Sequence, residues 1–498
     1  MKKINKVSPF LLLFFVFVVI IFSFRDNPFS KVLSGHDSSM FLYFGKGISD
    51  GLVPYKDMLD HKGPVLFIIE YLAVLIGFGN IPLGIWVLEC LFLIGSITFL
   101  YKTNRLYTDN KLIASVSVAF LMPLFILCYD GGNYSEEFAL LFISCAFYLF
   151  SKIIIQNKKS KIEYMLIGIL GALTFFIRVN MISLWVVFCL YLVFINVHDK
   201  KYSILIQQIK GIFLGGFLTT MAIILVSLLQ NNLKQMFHQA FVMNILYSES
   251  DLIGKLKATY SFIDLLLKTG VLPLIMIFFI SFLSSKKVLT TKVFVTLNAY
   301  FILNFLTVVL SGRYYTHYLI TQFAPLTVVL SLSIQFITTS IVNKKKLFLG
   351  SMLLLLTTLP ASISAIKIYN LAFKNYSGVE VKQTEEISNY IKENSSQTDT
   401  IYVHNINANI YLLSDRYSNS RFFVLPSINY DKFPEMQSEF SKEMKSNPPK
   451  FIVIRKQLLS DKQNSTNMNN VVFSNLENKY HSNDKIITDN YILYELNE

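Results

Sequence analysis

The sequence predicts a polytopic α-helical membrane protein of about eleven transmembrane helices, followed by a small extracytoplasmic α/β domain at the C-terminal end. Three observations carry this expectation. Of 498 residues, 53% are hydrophobic and only 15% are charged, with a mean hydropathy of +0.48, which is too apolar for one soluble core. Runs of about 20 apolar residues, the length that crosses a bilayer as a helix, recur as far as residue 366. From about residue 374 Asn, Ser, Lys, Asp and Glu take over, and strand-like and helix-like segments alternate. The expected division is a transmembrane domain over 1–370 and an extracytoplasmic domain over 371–498.

The first span reads as 9–24, after the basic residues Lys2, Lys3 and Lys6. No small-residue cleavage site follows it, so an uncleaved helix with a cytoplasmic N-terminus is expected. The topology then turns on the short run 64–77, which Glu70 interrupts. If this run crossed the membrane, Lys102, Arg105, Lys111, Lys158, Lys159 and Lys161 would all fall outside. If it lies in the interface, the basic loops 102–111, 152–161, 200–210, 286–292 and 344–346 all fall inside. Cytoplasmic loops carry the excess of Lys and Arg, so the interfacial placement is selected. The remaining spans read as 82–101, 111–128, 137–155, 163–178, 181–197, 210–230, 266–284, 292–310, 318–342 and 346–366, which puts the C-terminus outside. In the last domain strands are expected at 400–403, 421–425, 450–454 and 491–496, with helices near 383–394 and 432–447.

The net charge of +13 does not point to nucleic acid, because the positive residues are spread over short loops where they orient a membrane protein. The four cysteines, Cys90, Cys128, Cys145 and Cys189, lie in or at the ends of apolar runs and read as small core residues. No phosphate-loop or dinucleotide-binding motif is present. An enzyme acting outside without a nucleotide needs an activated substrate that the membrane itself carries.

The chemistry-bearing residues crowd onto the expected outer side. The loop 35–64 holds His36, Asp37, Asp50, Asp57, Asp60, His61 and Lys62. Asp37 can act as a general base, or it can cap a helix starting at Ser38. Lys62 precedes Gly63-Pro64, a helix start, so ammonium and helix N-terminus together form an anion site at the level of lipid headgroups; the bland alternative is a snorkelling lysine. Glu136 and Glu137 open a helix, where acids are ordinary dipole partners. They could equally bind sugar hydroxyls, or a divalent cation shared with Asp37. Arg178 stands at a helix end between two apolar runs. Arg313 and His317 sit among Tyr314, Tyr315 and Tyr318, aromatic residues that suit either a membrane belt or a sugar face. Glu89, an acid within a span, is expected to face the bundle interior.

These residues resemble the GT-C superfamily of integral membrane glycosyltransferases, nearest to its protein-mannosyltransferase, aminoarabinose-transferase and Rgt-like branch. The resemblance rests on His36-Asp37, Gly51-Leu52-Val53-Pro54-Tyr55-Lys56-Asp57, Asp60-His61-Lys62-Gly63-Pro64, Gly132-Asn133-Tyr134-Ser135-Glu136-Glu137, and Gly312-Arg313-Tyr314-Tyr315-Thr316-His317-Tyr318 with Pro325. It covers about residues 1–370. It implies transfer of a sugar from a polyprenyl-phosphate carrier in the membrane to an extracytoplasmic glycan, wall polymer or lipid. Asp37 is then similar to the catalytic acid residue, and Lys62, with Arg178 and Arg313, to the contacts of the donor phosphate. His36, Tyr55, His61, Glu136, Glu137, Tyr315 and His317 are the expected substrate-binding residues. A divalent cation, if used, would fall to Asp37 and Glu136. A polymerase or ligase of lipid-linked polysaccharide, or a transporter of lipid-linked sugars, is the alternative. Polar groups at one membrane face, with none forming a midplane site, favour the enzyme.

Overall fold

The computed structural model describes residues 9–30, 32–156, 160–247, 251–283, 290–340, 379–425, 430–460 and 467–497. Within these residues the expected spans fall on helix, except that 266–284 is broken between Lys268 and Val271. The expected span 346–366 and the expected domain boundary at 370–371 lie outside them.

Helices Ile81–Thr108, Lys111–Tyr129, Ser135–Gln156, Tyr202–Leu229, Thr291–Val309 and Thr316–Thr339 are each long and apolar enough to cross a membrane. Leu252–Lys268 and Val271–Phe282 make a seventh if taken together, bent by 92° at their junction. The expected spans 9–24, 163–178 and 181–197 form the shorter helices Pro9–Ile21, Lys161–Phe175 and Ser183–His198.

The chain divides into two compact units, one of residues 1–27, 86–226 and 248–374, the other of 28–85, 227–247 and 375–498. In the first, polar side chains tie helices together inside an apolar bundle. Ser183 donates to Asn304 Oδ1 (2.5 Å), and Asn304 Nδ2 donates to Gln322 Oε1 (2.6 Å). Such interhelical bonds fix rotation and depth where apolar packing alone is non-directional.

In the second unit the helices His36–Ser49 and Pro64–Gly77 pack as a tight hairpin. Phe44 stacks on Phe67 with ring centroids 3.9 Å apart. Gly45 permits the approach, since a Cβ there would lie 2.5 Å from the backbone oxygen of Glu70. The Pro64–Gly77 helix leaves Ile68, Leu72, Leu75 and Ile76 exposed, a row of apolar side chains without protein cover.

The C-terminal part of this unit carries a four-stranded sheet. Its strands are β1 (Ile401–His404), β2 (Phe451–Arg455), β3 (Tyr480–Ser482) and β4 (Tyr491–Leu496), in the order β1-β2-β4-β3. β1 and β2 are parallel, and β4 runs antiparallel to both β2 and β3. Helices Val379–Glu393, Pro434–Ser446 and Asn467–Lys479 accompany it. The expected strand 421–425 is irregular instead. Its carbonyls are taken by other groups: Arg421 O accepts from the Leu59 amide, Phe422 O from the Tyr402 hydroxyl and Phe423 O from the Tyr411 hydroxyl. With its acceptors used in this way, the segment has no ladder to join.

Candidate functional site

The structure gathers the candidate residues into two sets, one in each unit. In the second unit, the His36–Ser49 helix begins at His36 with Gly35 as its N-cap. Asp37 is therefore a first-turn residue, not the cap, and its charge favours the helix dipole there. It is half-buried, and among the described residues its carboxylate has no hydrogen-bond or ion-pair partner. His36 beside it is exposed.

Asp60, His61 and Lys62 are all buried. Asp60 Oδ1 accepts from the Lys62 amide at 2.7 Å, closing a turn over two residues. Lys62 Nζ lies 3.2 Å from His61 Nε2 and 5.7 Å from the centre of the Phe41 ring. Gly63 then caps the Pro64–Gly77 helix, with Pro64 in its first turn, so the ammonium and the helix N-terminus adjoin as the sequence suggests. Asn244 donates to His61 O at 2.6 Å. Burial raises the carboxyl of Asp60 above its ordinary range, against the opposing pull of Lys62; the nearby charge of Asp37 raises it further. Among the described residues Asp60 Oδ2 has no hydrogen-bond partner, though it is buried.

Tyr55, expected to bind substrate, is a strut of this loop. It is fully buried at φ 67°, and its hydroxyl donates to Lys62 O at 2.8 Å. Sequence reasoning passed over Asp60, although an Asp two residues before Lys62 is the pattern of a side-chain-closed turn.

In the first unit, the first turn of the Ser135–Gln156 helix holds two adjacent acids in different roles. Glu136 Oε1 accepts from Arg178 Nη1 at 2.5 Å, and both side chains are buried. Arg178 Nη2 donates to the Tyr318 hydroxyl at 3.1 Å, and the guanidinium lies 4.5 Å from that ring's centre. The expected phosphate contact Arg178 and the expected substrate or cation ligand Glu136 are thus committed to each other. Glu137 Oε2 accepts from the Asn133 amide at 2.9 Å, reaching back over the helix start as the acid of a capping box does. Among the described residues no three His, Cys, Asp or Glu side chains are grouped as a metal site requires.

Glu89 is fully buried, as expected of an acid inside a span. It sits under Gly132, at φ +95°, where a Cβ would meet its Oε1 at 2.0 Å. His317 stacks on Tyr134 at 4.2 Å and on Tyr315 at 5.6 Å, with interplanar angles of 11° and 12°. Tyr315 is 40% exposed, so the stack ends in an open aromatic face of the kind on which sugar rings pack. Arg313 lies half-buried in the preceding loop.

The described architecture can be set beside known proteins. A family model described as "Putative competence-induced protein Ccs4 N-terminal domain" matches residues 1–346, and its C-terminal counterpart matches residues 381–497. The chain belongs to the Ccs4 family. No curated protein matches it by sequence. Among solved structures it is similar to ArnT from Cupriavidus metallidurans bound to undecaprenyl phosphate, with a TM-score of 0.60 at 11% identity, over 97% of each chain. It is equally similar to ArnT from the same organism in the apo state, with a TM-score of 0.60 at 10% identity and the same coverage. At such identity the likeness is one of fold. The chain has an ArnT-like GT-C fold, a multi-pass helical membrane architecture with a small C-terminal sheet region, as the sequence leads one to expect.

Proposed function

We propose that the chain is a membrane glycosyltransferase that moves a sugar from a polyprenyl-phosphate carrier to an extracytoplasmic acceptor, which is a glycan, a wall polymer or a lipid. The observation that carries this reading lies within one compact unit of a GT-C-type fold. There Asp37, whose carboxylate has no partner among the described residues, opens one helix of a hairpin, and a buried ammonium, Lys62, stands at the start of the other. The fold neighbour named as bound to undecaprenyl phosphate supports a lipid phosphate as the anion that Lys62 meets.

In this reading the acceptor hydroxyl gives its proton to Asp37 while its oxygen bonds to the anomeric carbon. The bond from that carbon to the phosphate oxygen breaks, and the electron pair leaves with the phosphate. Lys62 and the helix N-terminus are in place where that charge grows, which is where a preorganised cation accelerates reaction most. Arg178 is already paired with Glu136, so Lys62 is the cation on which this reading rests.

The test is transfer by Asp37→Asn in membranes supplied with polyprenyl-phosphate sugars. The expected result is folded protein with transfer reduced by about 10²- to 10⁴-fold, the usual contribution of a general base. Full activity in that variant would remove the mechanism, and unchanged transfer by Lys62→Ala at low donor concentration would remove the phosphate seat.

A further inference from the structure

We infer that Asp60 and His61 are positioning residues that hold the Lys62 ammonium in place and make its grip on an anion sensitive to pH. This rests on the proposed role of Lys62 as the seat of a lipid phosphate.

The argument begins with which atom can donate. A lysine ammonium has three protons and no lone pair, so at 3.2 Å it can only donate to His61 Nε2. Nε2 must therefore be bare, and the single proton of the neutral ring sits on Nδ1. That nitrogen lies 3.8 Å from Asp60 Oδ1, too long for a hydrogen bond yet close enough for the carboxylate to favour this tautomer electrostatically. The same Asp60 oxygen binds the Lys62 amide at 2.7 Å, so one carboxylate sets both the backbone turn and the imidazole that receives the side chain.

The surroundings hold the rest of the loop still. Tyr55 donates to Lys62 O, and Asn244 donates to His61 O. The Phe41 ring flanks the ammonium. One proton of Lys62 is thus committed to His61, and two remain for an incoming anion. Among the described residues, the charged and titratable groups facing the Asp60–His61 pair include Lys62, Asp37 from the His36–Ser49 helix, Tyr55 and Tyr430.

Protonation of His61 would undo the arrangement. A second proton on the ring removes the acceptor at Nε2 and puts a like charge against the ammonium inside a buried loop, where screening is poor. The ammonium then has to leave its position. Acid should therefore weaken anion binding beyond what the anion's own titration produces.

The experiment is equilibrium binding of radiolabelled undecaprenyl phosphate to the full chain in lipid nanodiscs, between about pH 5 and pH 8. The phosphate monoester also titrates in this range, but it does so alike for every variant, so the comparison between variants is what counts. Wild type is expected to lose affinity about tenfold more than the ligand's titration accounts for, the equivalent of one pKa unit of coupling. His61→Gln offers Oε1 as an acceptor and cannot titrate; it should keep the neutral-pH affinity and lose the additional fall. Asp60→Asn removes the charge that favours the imidazolium, so its fall should move to lower pH. Profiles identical to wild type in His61→Gln and Asp60→Asn would overturn the inference. If His61→Gln does not fold, the shift in Asp60→Asn decides the matter alone. Lys62→Ala separates the two levels. If it binds as wild type does at every pH, the phosphate seat itself fails; if it binds weakly while His61→Gln keeps the wild-type profile, only the positioning role fails.

Discussion

At the scale of single residues, Glu136 and Glu137 show how far sequence reasoning reaches. Both read as acids in a first helical turn, and nothing in the string distinguishes them. Successive residues on a helix point about 100° apart, so the fold gives them different neighbours: Glu136 meets Arg178, while Glu137 turns back to the Asn133 amide. Arg178 was legible as an unusual ionisable residue at a span's end, but its partner lies 42 positions away in sequence and could not be read there. The pairing has a consequence for stability. Arg178→Ala leaves a buried carboxylate without its counter-charge, and removing one member of a buried pair costs about 3–5 kcal/mol. The variant should show a much lower thermal unfolding temperature in detergent. Adding Glu136→Gln should recover a good part of the loss, because the double variant strands no charge. Wild-type stability in Arg178→Ala alone would argue that the pair is not what holds the Glu136 and Tyr318 segments together. The place of Lys62 just before a helix start was legible for a different reason: it depends on immediate neighbours, Gly63-Pro64, which the sequence does contain, whereas the cap expected at Asp37 falls to Gly35.

At the scale of elements, helices with strong apolar runs were readable among the described residues, while the sheet was read only in part. β1, β2 and β4 announce themselves as short runs of β-branched and aromatic residues. Residues 421–425 have the same composition but spend their carbonyls on Leu59, Tyr402 and Tyr411, partners whose placement is a tertiary fact. β3, three residues long, is too short to carry a periodic signal. Two elements support expectations that measurements can check. The Pro64–Gly77 helix, 14 residues long with one apolar row exposed, suits the interface better than a crossing. A reporter fused after residue 79 should signal from outside the cytoplasm; a cytoplasmic signal would mean that the run 64–77 crosses and that the orientation of everything after it is reversed. In β1, His404 is completely buried, and burial lowers its imidazole to about 4, against one hydrogen bond with Asn469. The folded value lies below the unfolded one near 6.5, so the unfolded chain binds the proton first. The stabilising effect of a neutral His404 is thus complete above about pH 6.5 and disappears as pH falls towards about 4. A displacement of this size is worth about 3 kcal/mol. Thermal unfolding followed across this range should show wild type losing stability on acidification more steeply than His404→Gln, and parallel curves would exclude the effect.

At the scale of the whole molecule, composition separates an apolar stretch from a polar one but says nothing of interleaving, and interleaving is what builds the second unit. Segments 28–85, 227–247 and 375–498 form it together. Leu59 from the first and Met243 from the second belong to one apolar core with Tyr402, Phe422, Phe440 and Ile452 from the third. Phe423 stacks on Tyr43 at 4.1 Å, Ala408 N donates to the Ser39 hydroxyl, and Asn409 donates to Ser34 O. The loop that holds Asp60, His61 and Lys62 is therefore supported by a polar region more than 300 positions further along the chain. Contacts at such separation leave no local pattern, since each partner follows only its own element's periodicity. The dependence is testable without reference to catalysis. A chain ending at Lys374 keeps the apolar helices but loses most of the core beneath Leu59, so Lys62, buried in the complete protein, should become open to trypsin. Mass spectrometry of brief digests in membranes should find cleavage after Lys62 in the shortened chain and little in the full one, whereas exposed Lys56 should be cut in both. Equal protection of Lys62 in the two chains would mean that the hairpin of His36–Ser49 and Pro64–Gly77 orders its own loop. The C-terminal sheet would then be an appendage to the candidate site, not part of its foundation.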